Sequence, residues 1–180
     1  AWDRALELAP TRTAYTNRGL QYYYEGRYAE AADMQRKATE LAPNDHRAWG
    51  RLAESYRLLG GKEAEAAAAY ERAIVLAEGS LRINPQDWRT AGQLATYYAY
   101  SGRGQEATAM ADTALELSNR DPEALLYAAL VAHRQGDEDA TLSALEEMVE
   151  RNDSFRPYAG QDPDLGTLAG NERFDRLVNP

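Results

Sequence analysis

Four glycines recur along the chain at a nearly constant spacing, and this recurrence limits the possible folds more than any other feature. Gly26, Gly60, Gly102 and Gly136 each follow a helix-like stretch and are separated by 34, 42 and 34 residues. A tyrosine stands four residues before each of the first three glycines. Because a fixed period of about 20 to 50 residues is the signature of repeat architectures, the sequence predicts stacked helical hairpins without strands.

Bulky and small side chains also recur in phase with these glycines. The recurring positions are Tyr15, Gly19, Tyr22, Gly26, Ala31, Ala38 and Pro43 in repeat one; Trp49, Ala53, Tyr56, Gly60, Ala66, Tyr70, Ala73 and Pro85 in repeat two; Leu94, Ala95, Tyr98, Gly102, Ala107, Ala114 and Leu117 in repeat three; and Leu125, Ala129, Gly136, Leu145 and Met148 in repeat four. This pattern resembles the tetratricopeptide repeat family over about residues 1–151. The resemblance implies an all-α, right-handed superhelix of antiparallel helix pairs.

The resemblance also implies a division of the chain. We expect the second helix of a truncated preceding repeat at 1–10, repeat one at 11–44, repeat two at 45–86, repeat three at 87–120, repeat four at 121–151 and a C-terminal cap at 152–180. The eight additional residues between the second and third glycines predict a lengthened helix from about Lys62 to Ile83, roughly 33 Å long. Such a helix is either a tolerated insertion or a ridge that holds a neighbouring domain or subunit.

The tail after residue 151 breaks the repeat period. Asp162 and Asp164 flank Pro163 at a plausible helix start, because acids favour the positive end of a helix. Apolar residues further on are expected to cover the open face of repeat four: Leu165, Leu168, Phe174, Leu177 and Val178. The run also resembles the ends of tetratricopeptide arrays in bacterial signalling proteins, namely receptor-like serine/threonine kinases, adenylate cyclases and membrane-anchored winged-helix regulators.

Three consecutive tyrosines in repeat one cannot share one helix face, because neighbouring residues point about 100° apart. The family resemblance implies that Tyr22 packs in the core and that Tyr23 and Tyr24 line a concave groove. The resemblance extends that groove to further residues, among them Gly50 and Gly92, where a ligand would approach the backbone closely. The candidate groove residues are Tyr23, Tyr24, Arg47, Arg51, Arg57, Arg89 and Tyr100.

Charge supports a body with two different faces. The first helices of the four repeats carry seven arginines and three glutamates, whereas the second helix of repeat four carries six acids and one arginine. Arginine forks bind carboxylates and phosphates, so the groove suits an acidic segment, unless these arginines pair with acids on neighbouring helices. Thr16 and Leu20 replace the lysine and asparagine of the family's clamp for chaperone C-termini, which disfavours that ligand.

Nothing in the sequence singles out an active site, a metal centre or a cofactor site. The only histidines are His46, expected at the surface at a helix start, and His133, expected near the groove. Neither belongs to a metal-binding spacing, and no phosphate-binding glycine loop is present. The net charge of -9 argues against nucleic acid and anionic membranes as partners.

These observations predict a non-catalytic module that binds a peptide or protein segment in a concave groove. The alternative is a scaffold for oligomerisation or for intramolecular regulation within a larger bacterial signalling protein, with self-association through the lengthened helix. The compartment stays open: the cytoplasm is slightly favoured over an extracytoplasmic position in a membrane-anchored protein.

Overall fold

The computed structural model describes residues 11–179, and the regular secondary structure of this part of the chain is entirely helical, with no strand. The all-α prediction is therefore confirmed. The helix predicted at 1–10 lies outside the described residues. The α-helices are α1 Arg12–Tyr24, α2 Tyr28–Leu41, α3 His46–Leu59, α4 Glu63–Ile83, α5 Trp88–Tyr100, α6 Gly104–Leu117, α7 Pro122–Arg134, α8 Glu138–Arg151, α9 Arg156–Gln161 and α10 Glu172–Val178, with short 3₁₀ helices at Asp153–Phe155 and Leu165–Leu168.

The recurring glycines end the first helix of each pair. All four have positive φ, between 72° and 79°. In the turn after α5, the amide of Arg103 donates to the carbonyl of Tyr98 at 2.9 Å, and Arg27 and Tyr22 make the equivalent bond after α1. These bonds satisfy carbonyls that a helix end would otherwise leave unpaired, and glycine adopts the left-handed conformation they need at little cost.

A basic residue follows the turn glycine in three of the four pairs, and each one bridges to a glutamate three positions later. The N–O distances are 2.8 Å for Arg27–Glu30, 2.6 Å for Lys62–Glu65 and 3.0 Å for Arg103–Glu106. The fourth pair has no such ion pair; instead, the carboxylate of Asp137 accepts a hydrogen bond from the amide of Ala140. The ion pairs and the Asp137 cap each stabilise the first turn of a second helix.

The contacts of the chain divide it into two compact units, residues 1–79 and residues 80–180. In unit one, α1 packs on α2 and α2 packs on α3. The buried positions between these helices are mostly small, and Ala31, Ala38 and Ala53 have no exposed surface. Small side chains let the helix backbones approach closely, as the repeat pattern predicts.

One prediction for unit one is wrong. His46, expected at the surface, is buried and only 7% exposed. It lies four and seven residues before Gly50 and Ala53, which are also buried, so all three share one face of α3. Tyr22, expected in the core, is only half-buried, with the guanidinium groups of Arg18 and Arg27 over its ring at 4.2 and 4.3 Å.

In unit two, α5 pairs with α6 and α7 with α8, while α7 also contacts both α5 and α6. In the region predicted to form a C-terminal cap, Leu165, Leu168, Phe174 and Leu177 are buried in one cluster with residues of α7 and α8, and Val178 packs against it. The Asp162 carboxylate accepts from the amides of Asp164 and Leu165 and starts a 3₁₀ helix. The following α-helix, α10, begins only at Glu172.

The segment predicted to form a lengthened helix is α4, which has 21 residues. The guanidinium of Arg72 on this helix donates to the carbonyl of Pro43 and to the side chain of Asn44, both at 3.5 Å. These two residues lie in the turn between α2 and α3. Near its end, Leu81 packs beside Ala91, Ala114 and Ala124 of unit two. The boundary between the units falls inside this helix, between residues 79 and 80.

Candidate interaction surfaces

Two arginines of unit one, Arg12 and Arg47, meet where α1 and α3 begin. Asp45 caps α3 by accepting from the amide of Arg47, and its carboxylate also binds the guanidinium of Arg47 and that of Arg12, both at 3.1 Å. Burial raises the pKa of Asp45, but the hydrogen bonds and positive charge of Arg47, with the charge of Arg12, outweigh it and leave the pKa below its ordinary value. One carboxylate thus holds two arginines and joins the starts of two first helices.

Arg51 follows Arg47 by one helical turn and lies in a different environment. It is half-buried, and its side chain forms no hydrogen bond or ion pair within residues 11–179. Arg57, further along α3, is also half-buried. Because α3 contains three arginines and a single glutamate, its positive charge is only partly balanced by its own sequence.

The tyrosines predicted to line the groove lie at the end of α1. The ring of Tyr23 contacts Tyr24 edge-on, with centroids 5.4 Å apart, and Tyr28 at 5.8 Å. Tyr24 is 50% exposed. The ring contacts fix the positions of these tyrosines, and the exposed part of Tyr24 still presents a flat apolar surface to solvent.

The first helices of unit two are linked by a polar network. Arg89 of α5 pairs with Glu123 of α7 at 3.1 Å, and the hydroxyl of Tyr127 donates to Glu123 at 2.7 Å. Gln93 donates to the same hydroxyl at 3.3 Å. The arginine predicted here as a ligand contact therefore already binds a carboxylate of a neighbouring helix, which is the alternative that the sequence left open.

Gly92 does not open the α5 backbone to a ligand, contrary to the expectation from its position. The ring of Tyr127 fills that place, since a Cβ atom built on Gly92 would lie 2.2 Å from the Cδ2 atom of Tyr127. Glycine is needed because an aromatic ring of the next helix packs directly against the backbone. Gly50 is buried on α3.

The C-terminal cap reaches the ends of both first helices of unit two. The hydroxyl of Tyr100 donates to the Asp164 carboxylate at 2.6 Å, and Thr167 lies 3.1 Å from the imidazole of His133. The guanidinium of Arg134 stands 5.9 Å from the centre of the Tyr100 ring. The tyrosine predicted to contact a ligand thus already binds a carboxylate of its own chain.

Several contacts join residues separated by the repeat length, two of them between neighbouring repeats and two between repeat four and the cap. Arg89–Glu123, Gln93–Tyr127, His133–Thr167 and Asp139–Arg173 are each separated by 34 residues. Stacked repeats bring equivalent positions together, so comparing the chain with itself at an offset of 34 would have found Glu123 and Tyr127. Asp164 and Tyr100 are 64 residues apart, and no periodicity predicts their contact.

Other types of site have little support in the described part of the chain. Residues 11–179 contain no group of three histidine, aspartate or glutamate side chains placed to hold a metal ion. Over the same range, no helix combines the length and the apolar character that crossing a membrane requires.

Comparison with known proteins agrees with this geometry. Two tetratricopeptide-repeat family models match residues 13–45 and 93–157, which together make up more than half of the chain. No curated protein sequence matches significantly.

Among solved structures, a thermophilic tetratricopeptide-repeat protein of Thermus thermophilus matches with a TM-score of 0.63 and 20% identity, covering 98% of this chain and 87% of that one. Two others match with TM-scores of 0.46. YrrB, described as having an unusual peptide-binding site, is 22% identical over 84% of this chain and 75% of its own. MamA of Desulfovibrio magneticus RS-1 is 15% identical over 93% of each. On the matching family models and the shared fold, the chain belongs to the tetratricopeptide-repeat family.

Proposed function

We propose that this protein is a non-catalytic interaction module and that unit one binds an acidic segment of a partner along α1 and α3. The observation that carries the proposal is the charge of these two helices, which contain five arginines and one glutamate. Their starts are held together by the Arg12–Asp45 ion pair. An arginine fork binds a carboxylate or phosphate through two parallel hydrogen bonds, so this surface favours such groups.

Arg51 is the proposed primary contact, because its guanidinium has no ion pair within the described part of the chain. Arg47 and Arg57 flank it on the same helix. Tyr23 and Tyr24 add flat apolar area that suits the hydrocarbon parts of a peptide. In unit two, Arg89 and Tyr100 are weaker candidates, since a ligand would have to replace Glu123 and Asp164 there.

The test is fluorescence anisotropy with a labelled, glutamate-rich peptide that has a free C-terminal carboxylate. Arg51→Gln is expected to raise Kd about tenfold, the effect of losing roughly 1.4 kcal/mol of binding free energy. Arg36→Gln is the matched control, because it removes the same charge from α2, where Arg36 already pairs with Glu40 at 2.7 Å. Equal Kd values for the two variants and the unmodified protein would refute the proposed surface.

Self-association through α4 is the second candidate. Ile83 near the end of this helix is 88% exposed, and Val75 is 53% exposed. Light scattering over a range of concentrations measures the mass in solution. A dimer that Ile83→Asp converts to a monomer supports this candidate, whereas a monomer at every concentration excludes it.

A further inference from the structure

Unit two has a groove on its second helices that is separate from the surfaces described above. Helices α6 and α8 form its walls and α7 its floor, and they enclose a volume of about 320 Å³. Its surfaces are mainly small and apolar, with Ala111 and Leu115 on α6, Ala132 on α7, and Ala140 and Ala144 on α8. Methyl side chains cannot span the space between the walls, so the groove stays open. We call it the back groove.

Polar contacts hold the back groove at both ends. At one end, the Gln135 amide donates to the carbonyl of Gly104 at 2.9 Å and to the hydroxyl of Thr108 at 3.0 Å, which ties α7 to α6. At the other end, the guanidinium of Arg120 binds the Glu147 carboxylate, with Nε at 2.8 Å, which ties the α6–α7 turn to α8. The groove is therefore formed before any partner arrives, which lowers the entropic cost of binding.

The walls of the back groove are acidic. The charged side chains that line it are three acids, Asp112, Asp137 and Glu147, and one arginine, Arg120. Glu147 is neutralised by Arg120 and Arg151. Asp112 on the groove and Glu116 one turn later form no ion pair within residues 11–179, so the negative charge of α6 stays uncompensated there.

We propose that the back groove binds a cationic amphipathic helix of a partner protein. Aliphatic side chains of that helix enter between the alanine-lined walls, and its lysines or arginines lie beside Asp112 and Glu116. A helix is favoured over an extended segment because the described residues contain no strand edge to which a strand would add. This proposal uses the second helices and the opposite charge from the acidic-segment surface, so either one holds or fails without the other.

The probe is a fluorescent synthetic helix with leucines at positions i, i+3, i+4 and i+7 and lysines elsewhere, tested against the full 180-residue protein. Two comparison peptides separate shape from charge: one with the same residues in scrambled order, and one with glutamate in place of lysine. We expect the amphipathic cationic helix to bind at least about tenfold more tightly than either. Equal binding of the scrambled peptide overturns the proposal, because it shows attraction by net charge alone.

Two variants locate the binding. Ala132→Phe fills the floor of the groove without changing its charge, and we expect Kd to rise about tenfold or more. Ala140→Leu narrows the groove from the α8 wall and serves as a second test if the first variant loses its helical circular dichroism. Unchanged Kd in a folded groove-filling variant overturns the proposal.

Two double variants, matched in the number of charges removed, test the electrostatic contribution to binding. Asp112→Asn with Glu116→Gln removes one charge that lines the groove and one on α6 a turn beyond it, and is expected to weaken binding and its salt dependence. Glu172→Gln with Glu150→Gln removes two exposed acids that do not line the back groove. Equal effects of the two double variants would show that only the total charge matters and would contradict the proposed location.

Discussion

The two units share one repeat pattern but differ in how their first helices use polar side chains. In unit one, α1 and α3 carry an excess of arginine, and Arg51 has no ion pair within the described residues. In unit two, Arg89 and Tyr100 bind carboxylates of their own chain. The difference shows that the repeat determines the backbone positions, whereas the residues placed at those positions decide whether a surface is available to a partner.

The C-terminal cap packs only on unit two in the described part of the chain, and Phe174→Ala tests how much it contributes to the free energy of unfolding. Phe174 is buried with residues of α7 and α8, so the variant is expected to lower the free energy of unfolding by about 3–5 kcal/mol. Urea unfolding followed by circular dichroism measures the loss. The control is Ile83→Ala, expected within about 0.5 kcal/mol because that side chain is almost fully exposed.

Hydrogen exchange followed by mass spectrometry then sharpens the comparison. In Phe174→Ala, exchange is expected to rise mainly in residues 80–180 if the two units open separately. An equal rise in residues 11–79 would show that both units unfold together and would remove the basis for treating them apart.

Helix packing also differs between the units at two glycines that occupy different positions of the repeat, Gly92 and Gly19. Gly92→Ala is expected to cost about 1–3 kcal/mol, because its Cβ atom would meet the rigid ring of Tyr127 at 2.2 Å. Gly19→Ala in unit one would meet the end of the Gln35 side chain at 2.5 Å; this side chain is buried but has more rotatable bonds than a ring, so the expected cost is smaller. Thermal unfolding of both variants measures the difference, and a larger loss for Gly19→Ala would contradict this interpretation.

In unit two, a single hydrogen bond from Tyr100 to Asp164 joins the end of a first helix to the cap. Tyr100→Phe removes the donor and is expected to lower the free energy of unfolding by about 1 kcal/mol, since the group is partly exposed. Tyr158→Phe is the control, with an expected change near zero because the Tyr158 side chain is about half exposed. If Tyr100→Phe instead leaves stability unchanged, the hydroxyl does not help to hold the cap.

The smallest expected effect concerns pH. Hydrogen bonds from Arg120, and then from Arg151, hold the pKa of Glu147 at about 2, below its ordinary value of 4.5. Because the folded-state pKa is the lower one, the stabilisation is complete above about pH 4.5 and is lost as the pH falls towards 2. The pair is partly exposed, so we expect less than about 1 kcal/mol.

Unfolding of Glu147→Gln across this range measures the effect, with Glu116→Gln as control. A pH dependence that is the same in both variants would show that the pair contributes nothing.

Much of the fold was predictable from the sequence because it depends on local rules. The turn glycines, the lengthened α4 and the buried leucines of the cap all follow from helix periodicity and from backbone conformations that glycine favours. The burial of His46 follows from its helical spacing from Gly50 and Ala53 and not from its place beside a turn, which is typical of surface residues.

The candidate surfaces depended on more than local rules. The sequence alone determined that arginines and tyrosines recur on the first helices, and a comparison at an offset of one repeat would have placed Arg89 opposite Glu123. Only the tertiary structure decided that Tyr127 fills the place beside Gly92 and that Asp164 of the cap reaches Tyr100. The first contact depends on the size of the side chain that the next repeat places beside Gly92, and the second arises where an aperiodic tail packs on a periodic array.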